Sequence, residues 1–141
     1  MDHGCKNHGI ECFVKVIDTP FILSSQGGNL QQLARDFRYS FFEETRLKYH
    51  FDFICTAHHA SDWLETVIFN VLRGGFLQAL IGIPAINGVI LRPLLSFPKK
   101  EIIDYLIQND LSFRSDSSNN KLIYHRNLIR HEIIPVLSKI N

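Results

Sequence analysis

A chain of 141 residues, 45% hydrophobic and 21% charged, has enough apolar material for one domain with its own core, which excludes a disordered or low-complexity protein. Fifteen Lys and Arg against fourteen Asp and Glu give a net charge of +1, too balanced for a dedicated nucleic-acid binder, although residues 92–141 hold eight basic groups against five acidic ones. Cys5, Cys12 and Cys55 are odd in number and lack Cys-x-x-Cys spacing, and no apolar run approaches membrane-span length, so a soluble, cytoplasmic protein without a disulfide framework is expected.

Apolar runs alternate with helical patterns along the chain, which predicts an α/β fold around a parallel sheet. Cys12 to Ile17 is β-rich and reads as a strand, ended by Asp18-Thr19-Pro20, and Ser24 to Gly28 as a polar loop. Asn29 is placed to cap a helix, with Gln32 three residues on completing a capping box, and Leu30, Leu33, Ala34, Phe37 and Phe41 recur along one face. Phe51 to Ala57 reads as a short buried strand. A helix from about Ser61 to Arg73 follows and stops at Gly74-Gly75. Val89 to Leu91 reads as a third strand closed by Pro93, and Pro98 opens a helix through Ile102, Ile103, Leu106 and Ile107. Asp116 to Asn120 is turn-rich. A last helical stretch starts near His125, with a kink expected at Pro135.

The chemistry-bearing stretch is Thr56-Ala57-His58-His59-Ala60-Ser61-Asp62-Trp63-Leu64-Glu65-Thr66, running on to Arg73-Gly74-Gly75. A buried strand that enters a polar turn and then a helix is where open α/β sheets bind ligands. On that helix Leu64, Val67, Ile68, Val71 and Leu72 make one apolar stripe, and Asp62, Glu65, Thr66, Phe69 and Arg73 fall opposite. Carboxylates there suit Mg²⁺ and an arginine suits phosphate, while the same spacing also describes an ordinary solvated face. Adjacent His58 and His59 point to opposite sides of an extended chain, so they do not chelate one ion together, and no zinc motif accompanies them. Arg35 and Arg38 lie on the first helix. Arg126, Asn127 and Arg130 form a second basic group, its two arginines four apart, with an exposed basic face as the plain reading.

Four segments, in order, resemble the N-terminal domain of the tRNA(Ile)-lysidine synthetases, within the PP-loop ATP-pyrophosphatase superfamily. Leu33-Ala34-Arg35-Asp36-Phe37-Arg38-Tyr39 is similar to an A-R-x-x-R-Y helix, and Thr56 to Thr66 with Leu72-Arg73-Gly74 to a T-A-H-H-x-x-D-x-x-E-T motif. Leu91-Arg92-Pro93-Leu94-Leu95 is similar to an R-P-L strand, and Asp116-Ser117-Ser118-Asn119 with Arg126-Asn127-Leu128-Ile129-Arg130-His131 to the D-x-S-N…R-N-x-x-R-H ending. The resemblance implies a Rossmann-like sheet flanked by helices, with residues 1–141 as a partial PP-loop domain. Its first strand-loop-helix unit, with the S-G-G-x-D-S loop that holds the ATP pyrophosphate, is expected upstream of residue 1, and the isolated chain is expected to be inactive. The implied reaction uses ATP and Mg²⁺ to adenylate the wobble cytidine of tRNA(Ile), which free lysine then attacks. The implied catalytic residues are Asp62 (also a Mg²⁺ contact), His58 and Glu65. Arg38, Arg73, Arg126, Asn127 and Arg130 are implied to contact phosphate or substrate. Ser61 stands where many members carry an aspartate, so that role passes to Asp62 alone. A tRNA thiolation enzyme is the alternative within the superfamily, although such enzymes use paired cysteine motifs. A non-catalytic remnant is the alternative outside it.

Overall fold

Asn29 starts the first helix by the expected means: its Oδ1 accepts the backbone N–H of Gln31 at 2.9 Å and of Gln32 at 3.2 Å. The computed structural model describes residues 5, 8–18, 22, 29–75, 77–113, 128–137 and 139. These fall into two compact units, Met1–Ile54 and Cys55–Asn141. In the first, α1 spans Leu30–Lys48, with Arg46 and Lys48 in its last turn, where cations complement the helix dipole. The capping box is not completed, because the Gln32 side chain reaches forward to donate to Asp36 Oδ1 at 2.7 Å. Residues 11–18 do not form the expected strand. β propensity becomes a strand only where a neighbour supplies a ladder, and this segment makes its side-chain contacts with the helix instead. The Phe13 and Tyr49 ring centroids lie 4.2 Å apart, and Lys15 pairs with Glu44 at 2.7 Å while lying over the Phe41 ring.

The second unit begins within β1, Ile54–Cys55, much shorter than the predicted seven-residue strand. Next come α2 (Ala60–Leu72), a 3₁₀ turn (Leu77–Ile81), β2 (Ile86–Asn87), β3 (Ile90–Leu91) and α3 (Lys99–Gln108). A π turn (Ile129–Ile133) and α4 (Ile134–Leu137) complete the described part. The sheet order is β1-β3-β2. Among the described residues it is a small mixed sheet flanked by helices, with an antiparallel pair where a parallel sheet was expected. β2 and β3 pair antiparallel, Ile86 opposite Leu91 and Asn87 opposite Ile90. Only Gly88 and Val89 join them, and a two-residue connection can make only a hairpin, since parallel neighbours need a crossover of roughly a dozen residues. Gly88, at φ +58°, takes the left-handed position that this loop demands.

α2 ends as predicted, with Gly74 at φ +81° just beyond the Arg73 cap. The 3₁₀ turn is fastened to α2 by the Trp63 indole N–H, which donates to Ile81 O at 3.0 Å. Gly82 follows at φ +62°, and a Cβ there would meet Trp63 Nε1 at 2.5 Å. Among the described residues the buried apolar ones are Ala79 and Ile129, joined by the charged Glu65 and Arg92. Near Pro135 the chain widens into the π turn, where Ile134 N–H donates to Ile129 O, five residues back. Proline has no N–H to give and its ring crowds the carbonyl four residues earlier, so a locally opened register relieves both problems. The segments Ser24 to Gly28 and Asp116 to Asn120, together with Arg126 and Asn127, lie outside the described residues.

Candidate functional site

The site forms where α2 meets the π turn. His59 caps α2 reciprocally: its Nδ1 accepts the Asp62 N–H at 3.3 Å, and Asp62 Oδ2 accepts the His59 N–H at 3.0 Å. This box sets the Asp62 carboxylate at the helix start, where the dipole also favours a negative charge. One turn on, Glu65 projects from the same side and is only 4% exposed. From 65 residues away in sequence comes Arg130. Its Nε donates to Glu65 Oε1 at 2.6 Å, one terminal nitrogen to Glu65 Oε2 at 3.0 Å, and the same nitrogen to Asp62 Oδ1 at 3.4 Å. This is the two-pronged geometry by which a guanidinium engages a carboxylate.

The face of α2 holding Asp62, Glu65, Phe69 and Arg73 is therefore not the solvated side of an amphipathic helix. Its middle is the most enclosed part of the helix, covered by Ile129, Arg130 and Ile133, whereas Leu64, Val71 and Leu72 of the apolar stripe are 38%, 46% and 63% exposed. Periodicity assigns residues to faces, and which face is covered depends on what packs there. Arg130 likewise does not present a free basic face. It neutralises a buried carboxylate, which without a partner would be costly to bury.

His58 sits just before the box, its Nδ1 2.9 Å from the Thr56 hydroxyl. Thr56 is anchored by its backbone N–H, which donates to Leu91 O at 2.9 Å, so the T-A-H-H and R-P-L segments adjoin. Ser61 Oγ, in the position of the missing aspartate, accepts the Lys99 N–H at the start of α3 at 3.5 Å. Arg73 lies over the Phe69 ring at 5.3 Å. Phe69, Leu72, Arg73, Leu128, Ile129 and Ile133 line a cleft of about 500 Å³. Arg35 and Arg38 belong to the first unit, where Arg35 stacks over Tyr39 at 4.7 Å. Sequence reasoning passed over Arg92. It is 6% exposed, its guanidinium donates to Pro84 O at 2.7 Å, and its Nε has no partner among the described residues. The sequence signal was its place in the R-P-L segment, which carries the resemblance without giving the arginine a role.

Two carboxylates against one guanidinium leave the Asp62 side of the cluster with residual negative charge. Among the described residues no three His, Cys, Asp or Glu side chains converge as a metal cage. The donor set suits a magnesium ion in its usual manner, held mainly by phosphate and water with one protein carboxylate. Of the two carboxylates Asp62 is the less tightly held, accepting from the His59 N–H at 3.0 Å and from Arg130 at 3.4 Å, whereas Glu65 takes bonds of 2.6 and 3.0 Å from Arg130. Among the described residues no helix is long and apolar enough to cross a membrane, and Cys5, Cys12 and Cys55 form no disulfide.

A family model described as a PP-loop domain matches residues 1–137. The chain is 42% identical over 138 residues to a tRNA(Ile)-lysidine synthase of Clostridium perfringens, a match covering 97% of this chain and 29% of that protein. It is 38% identical over 136 residues to the tRNA(Ile)-lysidine synthase of Chlorobaculum tepidum (96% and 41%). With that of Bacillus subtilis it shares 36% over 139 residues (96% and 29%). The chain thus spans less than half the length of these relatives.

Proposed function

The chain belongs to the PP-loop domain family, and from that premise we propose that it is the ATP-using domain of an enzyme that joins lysine to the wobble cytidine of tRNA(Ile). In this reading the C2 carbonyl oxygen of the cytidine attacks the α-phosphate of ATP and pyrophosphate leaves. The amine of free lysine then attacks C2, a proton is lost, and AMP departs with its oxygen. The sheet is read as the edge of a Rossmann-like core, residues 1–141 as a partial domain, and the cytoplasm as the compartment.

One observation carries the proposal. Asp62, Glu65 and Arg130 come from two separate family-like motifs and meet in one cluster with bonds of 2.6–3.4 Å. We assign Asp62 to the nucleotide, where its carboxylate would help hold a Mg²⁺ bound with ATP; that ion would supply charge neutralisation. Glu65 and Arg130 are positioning residues that hold the Asp62 carboxylate in place. His58, oriented by Thr56, makes a polar contact to substrate. Arg38 is assigned to the ATP phosphates, Arg73 to a phosphate of the RNA substrate, and Arg126 and Asn127 to the tRNA backbone.

The test measures AMP release by the chain joined to an upstream segment that carries S-G-G-x-D-S, with tRNA(Ile), lysine and ATP–Mg²⁺, alongside the mass of the wobble nucleoside. AMP release should require both tRNA and lysine, and Asp62→Asn should lower turnover on the order of 10²-fold while folding survives. Asn retains an oxygen to accept the His59 N–H, so the cap persists. The 141 residues alone, which contain no S-G-G-x-D-S, should release no AMP above background. AMP release independent of tRNA would sink the reading.

A further inference from the structure

We propose that the cleft beside the carboxylate–arginine cluster receives one unpaired nucleotide of the RNA substrate, base against the apolar walls and phosphate on Arg73. The inference rests on the reading above and deepens it. Phe69 and Arg73 follow Glu65 at four-residue intervals, so the cleft continues the face of α2 on which Glu65 and Arg130 meet. Its volume of about 500 Å³ falls within the roughly 300–1,000 Å³ of small-ligand clefts. Five of the six lining side chains are apolar, and Leu72 and Leu128 are 63% and 44% exposed, so broad apolar faces are open to a ligand.

Arg73 is the only cation among these six. It is exposed, and its guanidinium has no carboxylate partner among the described residues, only the Phe69 ring. One apolar slot with one unneutralised cation matches a unit with a flat π-face and a single charge, which is a nucleotide within an RNA strand. Free ATP, with its several phosphate charges, would need more cations than this cleft offers. A base on an apolar or aromatic platform with an arginine at its edge is also the sequence-tolerant way of holding single-stranded RNA.

The experiment uses the same extended chain and a labelled stem-loop RNA carrying the tRNA(Ile) anticodon. Leu128→Trp fills the cleft and Arg73→Gln removes its cation. Each should weaken stem-loop binding about tenfold, the scale of one lost base platform or charge contact, with the KM for ATP unchanged. Removing the base at one unpaired loop position should weaken binding to the unmodified protein and have little further effect in Leu128→Trp. Leu128→Ser, which opens the slot instead, serves if Leu128→Trp does not fold. Unchanged RNA affinity in both cleft variants overturns the assignment, as does a raised KM for ATP with RNA affinity intact, which would make free nucleotide the occupant. Lysidine formation is followed in parallel. Stem-loop binding that depends on the cleft without any lysidine product overturns the proposed reaction and supports the cleft.

Discussion

Glu65 and Arg130 are each intelligible only through the other. A carboxylate 4% exposed has lost most of its hydration, and the two short bonds from Arg130 replace it. Removing one partner leaves the other charge stranded, so Arg130→Leu should destabilise the protein by about 3 kcal/mol and Glu65→Leu by a similar amount. The double variant Glu65→Leu with Arg130→Leu should cost less than the two single losses added, since no unpaired charge remains. Chemical denaturation of the four proteins measures this directly. Strictly additive losses would show that the pair has no mutual dependence. The identities of both residues stand out in the sequence, but their partnership does not. A separation of 65 residues carries no periodic signal, and an exposed arginine and a buried one are written with the same letter.

Among the elements, α1 and α2 contrast in how they are held. α2 is tied at its start by the His59–Asp62 box and along its length by Trp63 and Glu65. α1 contains no fully buried residue and depends more on its cap and surface pairs. Hydrogen bonding to Arg46 holds the Glu43 carboxyl below the usual carboxylate range, and Lys15 does the same for Glu44. A carboxylate whose folded pKa is depressed contributes stability above its unfolded pKa and loses it as pH falls through the folded value. Circular dichroism of the helix should therefore show an acid-side loss that shrinks in Glu43→Gln and Glu44→Gln and that added salt reproduces in part at neutral pH. An acid limb unchanged by both substitutions would place the titration elsewhere. The Asn29 cap was legible because capping is local chemistry within four residues. The Gln32 half was misread because Asp36, one turn further on, competes for the same amide.

At the scale of the molecule, the described residues bury few large apolar side chains. Ile129 is 2% exposed, while Val16, Leu77, Ile86 and Leu72 are 63–92% exposed. Burial of apolar area drives folding, so the 141 residues by themselves should unfold over a broad denaturant range and bind a hydrophobic dye before the main transition. A sharp single transition with no dye binding would contradict this. Ile129→Ala should be among the most damaging single changes, lowering stability by about 2–5 kcal/mol.

What the sequence determined by itself was local or compositional. The helix starts at Asn29 and near Ser61, the stop at Gly74, the alternation that makes an α/β chain, and the motif order that implies a PP-loop domain all depend on neighbours within a few positions. The tertiary structure alone decided three things. The sheet is mixed because Gly88-Val89 turns the chain straight back, and the π turn opens ahead of Pro135 to accommodate a missing N–H. The middle of the polar face of α2 is enclosed at Glu65 because Arg130 reaches it from the π turn. Burial is a property of pairs of segments distant along the chain, and a single helix's periodicity cannot specify which of its faces will be covered.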